Sequence, residues 1–286
     1  MPSHIRSLTK LDREYSPSSR VTDITVYLDE YARRSVAARQ CRHLSYRYGP
    51  RPEQLLDYFP AGRAGAPVQV YVHGGYWQEL SKDESSFAAP GFVREGMGFV
   101  ALGYGLAPAC SLDEIVGMVR DGLWWLVRHA GGLPGRPGAV HLSGSSAGAH
   151  LVAMALLDGW LPNGVRPADV FASATLLSGV YDLPPLLPTY INDALGLDEA
   201  AARRNSPIAS LPDHLPPLVI AMGDNETDAF RRQHERFVAA VAPRAADLTA
   251  FVARDRNHFD LPLDLGASGT ELGDAVLARL RTGGRA

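Results

Sequence analysis

The chain has 286 residues, of which 46% are hydrophobic and 21% charged, with a formal net charge of −3. That balance argues against nucleic acid or an acidic membrane surface as a partner and leaves a small-molecule substrate, with a homodimer open. The amino terminus (His4, Arg6, Lys10, Asp12, Arg13, Glu14) lacks the apolar core of a signal peptide, and no apolar run is long enough to span a membrane. Cys41 and Cys110 lie far apart without metal-ligand spacing and read as reduced thiols, so a cytoplasmic protein is expected.

Residues 1–286 read as one α/β domain, opened by an N-terminal arm over about residues 1–40. Residues 41–60 are expected to form an antiparallel hairpin. Strand-like runs follow at 68–72, 99–102, 139–142, 174–178, 218–222 and 249–252. Helical patterns fall at 112–129, 147–157, 228–241 and 273–281. This alternation predicts a mostly parallel central sheet with helices on both faces. Residues 134–138 (Pro-Gly-Arg-Pro-Gly) read as a surface loop. Residues 181–217 carry seven prolines and read as a lid-like insertion over a substrate.

The most informative stretch is Gly144-Ser145-Ser146-Ala147-Gly148, between an apolar strand pattern and a helical one. Strand, sharp turn and helix are the context in which Gly-x-Ser-x-Gly carries a nucleophile. The positions two before and two after must be tiny, because strand and helix converge there. Ser146, rather than Ser145, has glycine at both offsets. A serine hydroxyl is a weak nucleophile unless a base, an orienting carboxylate and an oxyanion site attend it.

In this chain order the oxyanion element should follow the third strand, where His73-Gly74-Gly75-Tyr76-Trp77 stands. The N–H groups of Gly74, Gly75 and Ala147 are the expected donors, each worth roughly 3 kcal/mol to a transition state. The acid should come next and the histidine last. His258 lies in the loop after the last strand and is the expected base. His234 falls inside a helix, where a solvated face is expected, and His150 reads as a packed or hydrogen-bonded core residue. His129 and His141 show no ligand spacing, so no metal is expected. Gly103-Tyr104-Gly105 lacks the third glycine of a dinucleotide loop and runs into Pro108, so no cofactor is expected either. The acid is ambiguous: Asp224, Glu226 and Asp228 all follow the strand at 218–222. Asp228 reads as the cap of the next helix, and composition does not choose between Asp224 and Glu226.

These residues resemble the arylformamidases, or kynurenine formamidases, of the α/β-hydrolase fold. The likeness rests on His73 through Gln78, Ser81 through Ser85, Tyr104 through Pro108, Ser146 through His150 and Leu177 through Leu183. It continues at Arg204 through Pro207, Phe230 through Gln233 and Asn257 through Phe259, and so covers roughly residues 15–260. In the family an Asp or Glu precedes Ser or Thr, with Phe four positions after the acid. Counting back from Phe230 makes Glu226 the implied acid, with Asp224 as fallback. Animal members often have His where this chain has Ser145, and Asp where it has Glu226. The metal-dependent kind of kynurenine formamidase needs a histidine-rich motif that this sequence lacks.

The resemblance implies an N-formyl aryl amine substrate, foremost N-formyl-L-kynurenine, cleaved to L-kynurenine and formate through Ser146, His258 and Glu226. Tyr76, Trp77, Tyr181 and Tyr190 are then expected to line the aryl side, with Asn192 or an arginine of the insertion facing the substrate carboxylate. The alternatives are a carboxylesterase acting on small esters and, third, a non-catalytic ligand-binding protein of the same fold.

Overall fold

The computed structural model describes residues 9–282; His4 and Arg6 of the amino terminus lie outside them. Helix α1 (Lys10–Glu14), a 3-10 turn (Pro17–Arg20) and α2 (Thr25–Arg39) come first. Strands β1 (Leu44–Arg47) and β2 (Leu55–Phe59) form the expected antiparallel hairpin, with Leu44 opposite Tyr58. The chain continues through β3 (Val68–Val72), α3 (Ala89–Arg94), β4 (Gly98–Leu102), α4 (Leu112–His129), β5 (Val140–Ser145) and α5 (Ala147–Ala155). Next come α6 (Pro167–Val170), β6 (Phe171–Leu177), α7 (Asn192–Leu195) and α8 (Glu199–Arg204). Strand β7 (Leu218–Asn225), α9 (Asp228–Val241), β8 (Leu248–Asn257) and α10 (Glu271–Thr282) complete the order.

The eight strands lie in the order β1-β2-β4-β3-β5-β6-β7-β8. β2 pairs antiparallel with β1 and β4, and every other pairing is parallel. From β3 the chain steps to β4 on one side and then crosses back to β5 on the other. The winding therefore reverses between β3 and β5, and their carboxyl ends flank the crevice where open α/β sheets bind ligands.

Alternation along the strands sorts side chains into two cores. Val68, Val70 and Val72 of β3 and Leu218 and Ile220 of β7 face α4, α5 and α9. Tyr71, Val219 and Ala221 face the opposite layer, made by α2, α3 and α10. All five residues of β3 are buried, and each such valine contributes about 1.5–3 kcal/mol by leaving water. Helix α4 begins at a capping box in which the Ser111 hydroxyl accepts from Glu114 N–H and Glu114 accepts from Ser111 N–H.

The N-terminal arm contains α2, whose buried residues are Tyr31, Ser35 and Ala38. These sit one turn apart on one face, yet Tyr, Ser and Ala make a poor apolar stripe, while Val26 and Val36 of the same helix are exposed. The insertion at 181–217 is built of short pieces, α7, α8 and 3-10 turns at Pro184–Leu186 and Pro207–Ala209. No helix among the described residues is long and apolar enough to cross a membrane, and both cysteines are free thiols.

Candidate active site

Ser146 sits at the sharp turn from β5 into α5 with φ 56° and ψ −119°. Such a conformation is costly for a residue with a side chain and persists only where the surroundings enforce it. Here the enforcement is close packing. A Cβ on Gly148 would lie 2.0 Å from the carbonyl oxygen of Val72, and one on Gly144 would lie 2.3 Å from that of Gly148. Ser146 N–H is also pinned to the Leu177 carbonyl at 2.8 Å.

The turn after β3 packs directly on this elbow. A Cβ on Gly74 would stand 2.9 Å from the Ser145 carbonyl and 3.3 Å from Ser146 Cβ. Gly75, Tyr76 and Trp77 form three successive residues with positive φ, of 90°, 50° and 60°. The Gly75 carbonyl accepts from the N–H groups of Gln78 and Glu79, which closes the turn. Among the described residues, no protein acceptor takes the N–H of Gly74, Gly75 or Ala147. His73 braces the turn from beneath. Its ring stacks on Tyr104 at 4.0 Å, its Nδ1 bonds the Gly74 carbonyl at 3.0 Å, and Tyr104 donates to the His73 carbonyl. Burial pushes the His73 imidazole down to about 4, so the ring is neutral.

At the other end of the sheet, β7 and β8 lose register between Gly223 and Asn225. This bulge turns Glu226 inward, where it is 4% exposed. Glu226 Oε2 accepts from His258 Nδ1 at 2.9 Å. Its other oxygen accepts from Gly223 N–H at 3.0 Å and from the Ser178 hydroxyl. Because Nδ1–H donates to the carboxylate, the lone pair of the neutral His258 imidazole is on Nε2. Asp224, the other acid weighed, is exposed and accepts from Asp255 N–H at 3.0 Å instead. Ser178, at φ 48° just past β6, is a site residue that motif reading missed. In the sequence it stands beside Gly179 within the Leu177–Leu183 stretch that carries the family likeness.

Ser146, His258, Gly74 and Gly75 line a common cavity of about 430 Å³. Tyr76 and Tyr190 are in its wall, with Ile24, Leu28, Tyr31 and Phe259 supplying further apolar surface. Trp77 and Tyr181 are not. Trp77 is fully buried, and its Nε1 donates to His150 Nδ1 at 3.2 Å. His150 Nε2 in turn bonds the Asn205 carbonyl at 2.7 Å. An indole can only donate and a carbonyl can only accept, so His150 must be the neutral Nε2–H tautomer. Burial agrees, pushing it down to about 4. Tyr181 is 1% exposed and stacks on Phe237 at 3.7 Å between ring centres. Both aromatics hold the site's framework rather than its surface.

Three smaller expectations are also corrected. Asn192 spends its amide on the backbone of Leu187 and Leu197 and does not reach the cavity. The cap of α9 is Thr227, whose hydroxyl accepts from Phe230 N–H, and Asp228 is the first helical residue. His234 is buried, at 8% exposure, because α9 lays that face against the core. His141 bonds Ser173 Oγ at 2.7 Å. Among the described residues no group of three or more His, Cys, Asp or Glu could hold a metal ion.

Comparison with known proteins places this arrangement. The BD-FAE family model matches residues 56–163, from β2 past α5. The chain is 35% identical to the kynurenine formamidase of Danio rerio, over 75% of this chain and 73% of that one. It is 33% identical to the kynurenine formamidase of Salmo salar, over 88% and 89%. Among solved structures, a candidate thioesterase from Silicibacter sp. superposes with a TM-score of 0.83 at 25% identity, over 96% of this chain and 99% of that one. The chain belongs to the kynurenine formamidase family, as a hydrolase built on the α/β-hydrolase fold.

Proposed function

We propose that this protein hydrolyses N-formyl aryl amines, N-formyl-L-kynurenine foremost, with Ser146 as nucleophile, His258 as base and Glu226 as orienting acid. The observation that carries this reading is the Glu226–His258 pair at 2.9 Å, opening on the same cavity as a serine held in the elbow. Ser146 Oγ attacks the formyl carbon while His258 Nε2 takes the hydroxyl proton, and Glu226 stabilises the imidazolium. The N–H groups of Gly74, Gly75 and Ala147 receive the oxyanion. Collapse of the tetrahedral adduct breaks the C–N bond, and His258 returns its proton to the departing aryl amine. Water, activated by the same histidine, then cleaves the formyl-serine ester and releases formate. The aryl group would rest against Tyr31, Tyr76, Phe259 and Leu28, which line the cavity beside the serine.

The test is kcat/KM for N-formyl-L-kynurenine and for p-nitrophenyl acetate, with wild type and Ser146→Ala in parallel. Formamide turnover that disappears in the variant is the expected result. Ester cleavage without formamide cleavage would sink the substrate and leave a carboxylesterase.

A further inference from the structure

The N-terminal segment lies more than a hundred residues from the proposed acid and base, yet it grips the chain on both sides of each. On the acid side, Asn225 exchanges two bonds with Arg20: Arg20 Nε donates to Asn225 Oδ1 and Asn225 Nδ2 donates to the Arg20 carbonyl, both at 3.1 Å. Past the acid, the Thr227 hydroxyl donates to the Glu14 carbonyl at 2.5 Å, and Ala229 N–H donates to Glu14 Oε2 at 3.0 Å. On the base side, Asn257 Nδ2 donates to the Tyr27 hydroxyl at 3.1 Å. Beyond the base, the Tyr31 hydroxyl donates to the Phe259 carbonyl, and the Tyr27 and Phe259 rings stack at 5.8 Å.

The sheet alone would hold these loops poorly. β8 is the last strand, so among the described residues its outer edge has no neighbouring strand, and the β7–β8 ladder is interrupted just where the acid loop leaves it. Loops at an interrupted edge open at low free energy unless something else ties them. We infer that residues 14–31 position the acid and base loops, with Glu14 and Tyr27 acting as positioning residues for the triad. This rests on the assignment of Glu226 and His258 under the proposed function. Neither Glu14 nor Tyr27 lines the cavity, so they act through the loops and not on substrate.

The experiment compares Glu14→Ala, Tyr27→Phe and Glu14→Gln in the full-length protein. Glu30→Ala serves as a control, since Glu30 lies in the same segment but bonds the exposed Arg33 and Arg34. Active sites are counted by stoichiometric fluorophosphonate labelling, melting temperatures are recorded, and kcat and KM are measured on p-nitrophenyl acetate and N-formyl-L-kynurenine. Loss of one such hydrogen bond should lower kcat per labelled site by about three- to tenfold in Glu14→Ala and in Tyr27→Phe, with KM within twofold of wild type. Glu14→Gln should recover wild-type kcat, because its amide oxygen still accepts from Ala229 N–H, and Glu30→Ala should match wild type. In a Glu226→Gln background the Glu14→Ala penalty should vanish, since both changes act through the same pair. Unchanged kcat per labelled site in both single variants, with or without a lower melting temperature, would overturn the inference alone. So would Glu14→Gln as impaired as Glu14→Ala. Full activity of Glu226→Gln would instead overturn the triad assignment and this inference with it.

Discussion

The crevice between β3 and β5 and the loop pair after β7 and β8 are built by opposite means. The first is steric. Gly144, Gly148 and Gly74 let three backbone segments meet at distances that a single Cβ would forbid, and the strained φ of Ser146 follows from that contact. The second is a web of side-chain hydrogen bonds from distant parts of the chain. Glu226 takes one bond each from Gly223, Ser178 and His258, and its neighbours are tied to the amino-terminal segment. Close packing gives a site that either forms or does not. A hydrogen-bonded web can be weakened in steps, because each bond contributes only about 0.5–1.5 kcal/mol.

That difference predicts a graded series. Ser146→Ala should leave the fold intact and lower kcat by roughly 10⁶-fold, as loss of a nucleophile does elsewhere; measurable residual turnover near wild type would remove serine catalysis from consideration. Glu226→Gln should cost on the order of 10⁴ in kcat, whereas Asp224→Asn, whose exposed carboxylate accepts from Asp255 N–H, should stay within about twofold. The reverse ranking would move the acid to Asp224.

The framework histidines give a stability effect rather than a rate effect. His73, His141 and His150 are each pushed by burial from an ordinary 6.5 to about 4. Their folded pKa lies below the unfolded one, so the unfolded chain binds more protons as pH falls between 6.5 and 4, and stability is lost across that window. Urea unfolding at pH 6.5 and pH 5 should show a loss on the order of 2 kcal/mol or more. A flat profile would mean that these rings are solvated. Ser178→Ala comes last, with a fall of about tenfold in kcat and an unchanged KM, because it removes one of the bonds that aim Glu226. Equal kcat for Ser178→Ala and wild type would show that the Gly223 N–H suffices.

What could be read in advance follows the same division. The spans of helices α4 and α9 were legible from their apolar stripes, although the cap of α9 is Thr227 and not Asp228. The elbow and the His-Gly-Gly turn were legible because steric demands leave glycines at fixed spacing. Trp77 and Tyr181 looked like substrate contacts, since an aromatic beside a catalytic motif reads the same whether it points into the cavity or into the core. What sends Trp77 inward is His150 on α5, seventy-three residues away. Helix α2 was hidden because its buried face is made of Tyr31, Ser35 and Ala38. Its importance to the site arises from tyrosine hydroxyls that meet loops more than two hundred residues later, and no local pattern encodes such a meeting.

The Trp77–His150 bond also gives the His73–Trp77 turn its own reporter. Of the four tryptophans in the chain, Trp77 is the one in that turn, and its indole proton is sealed from solvent against a neutral imidazole. In a proton NMR spectrum that single resonance should be shifted by its imidazole acceptor and slow to exchange with deuterium for as long as the turn stays seated on α5. Its exchange rate then clocks how often that turn lifts away, in the resting protein and without any substrate present.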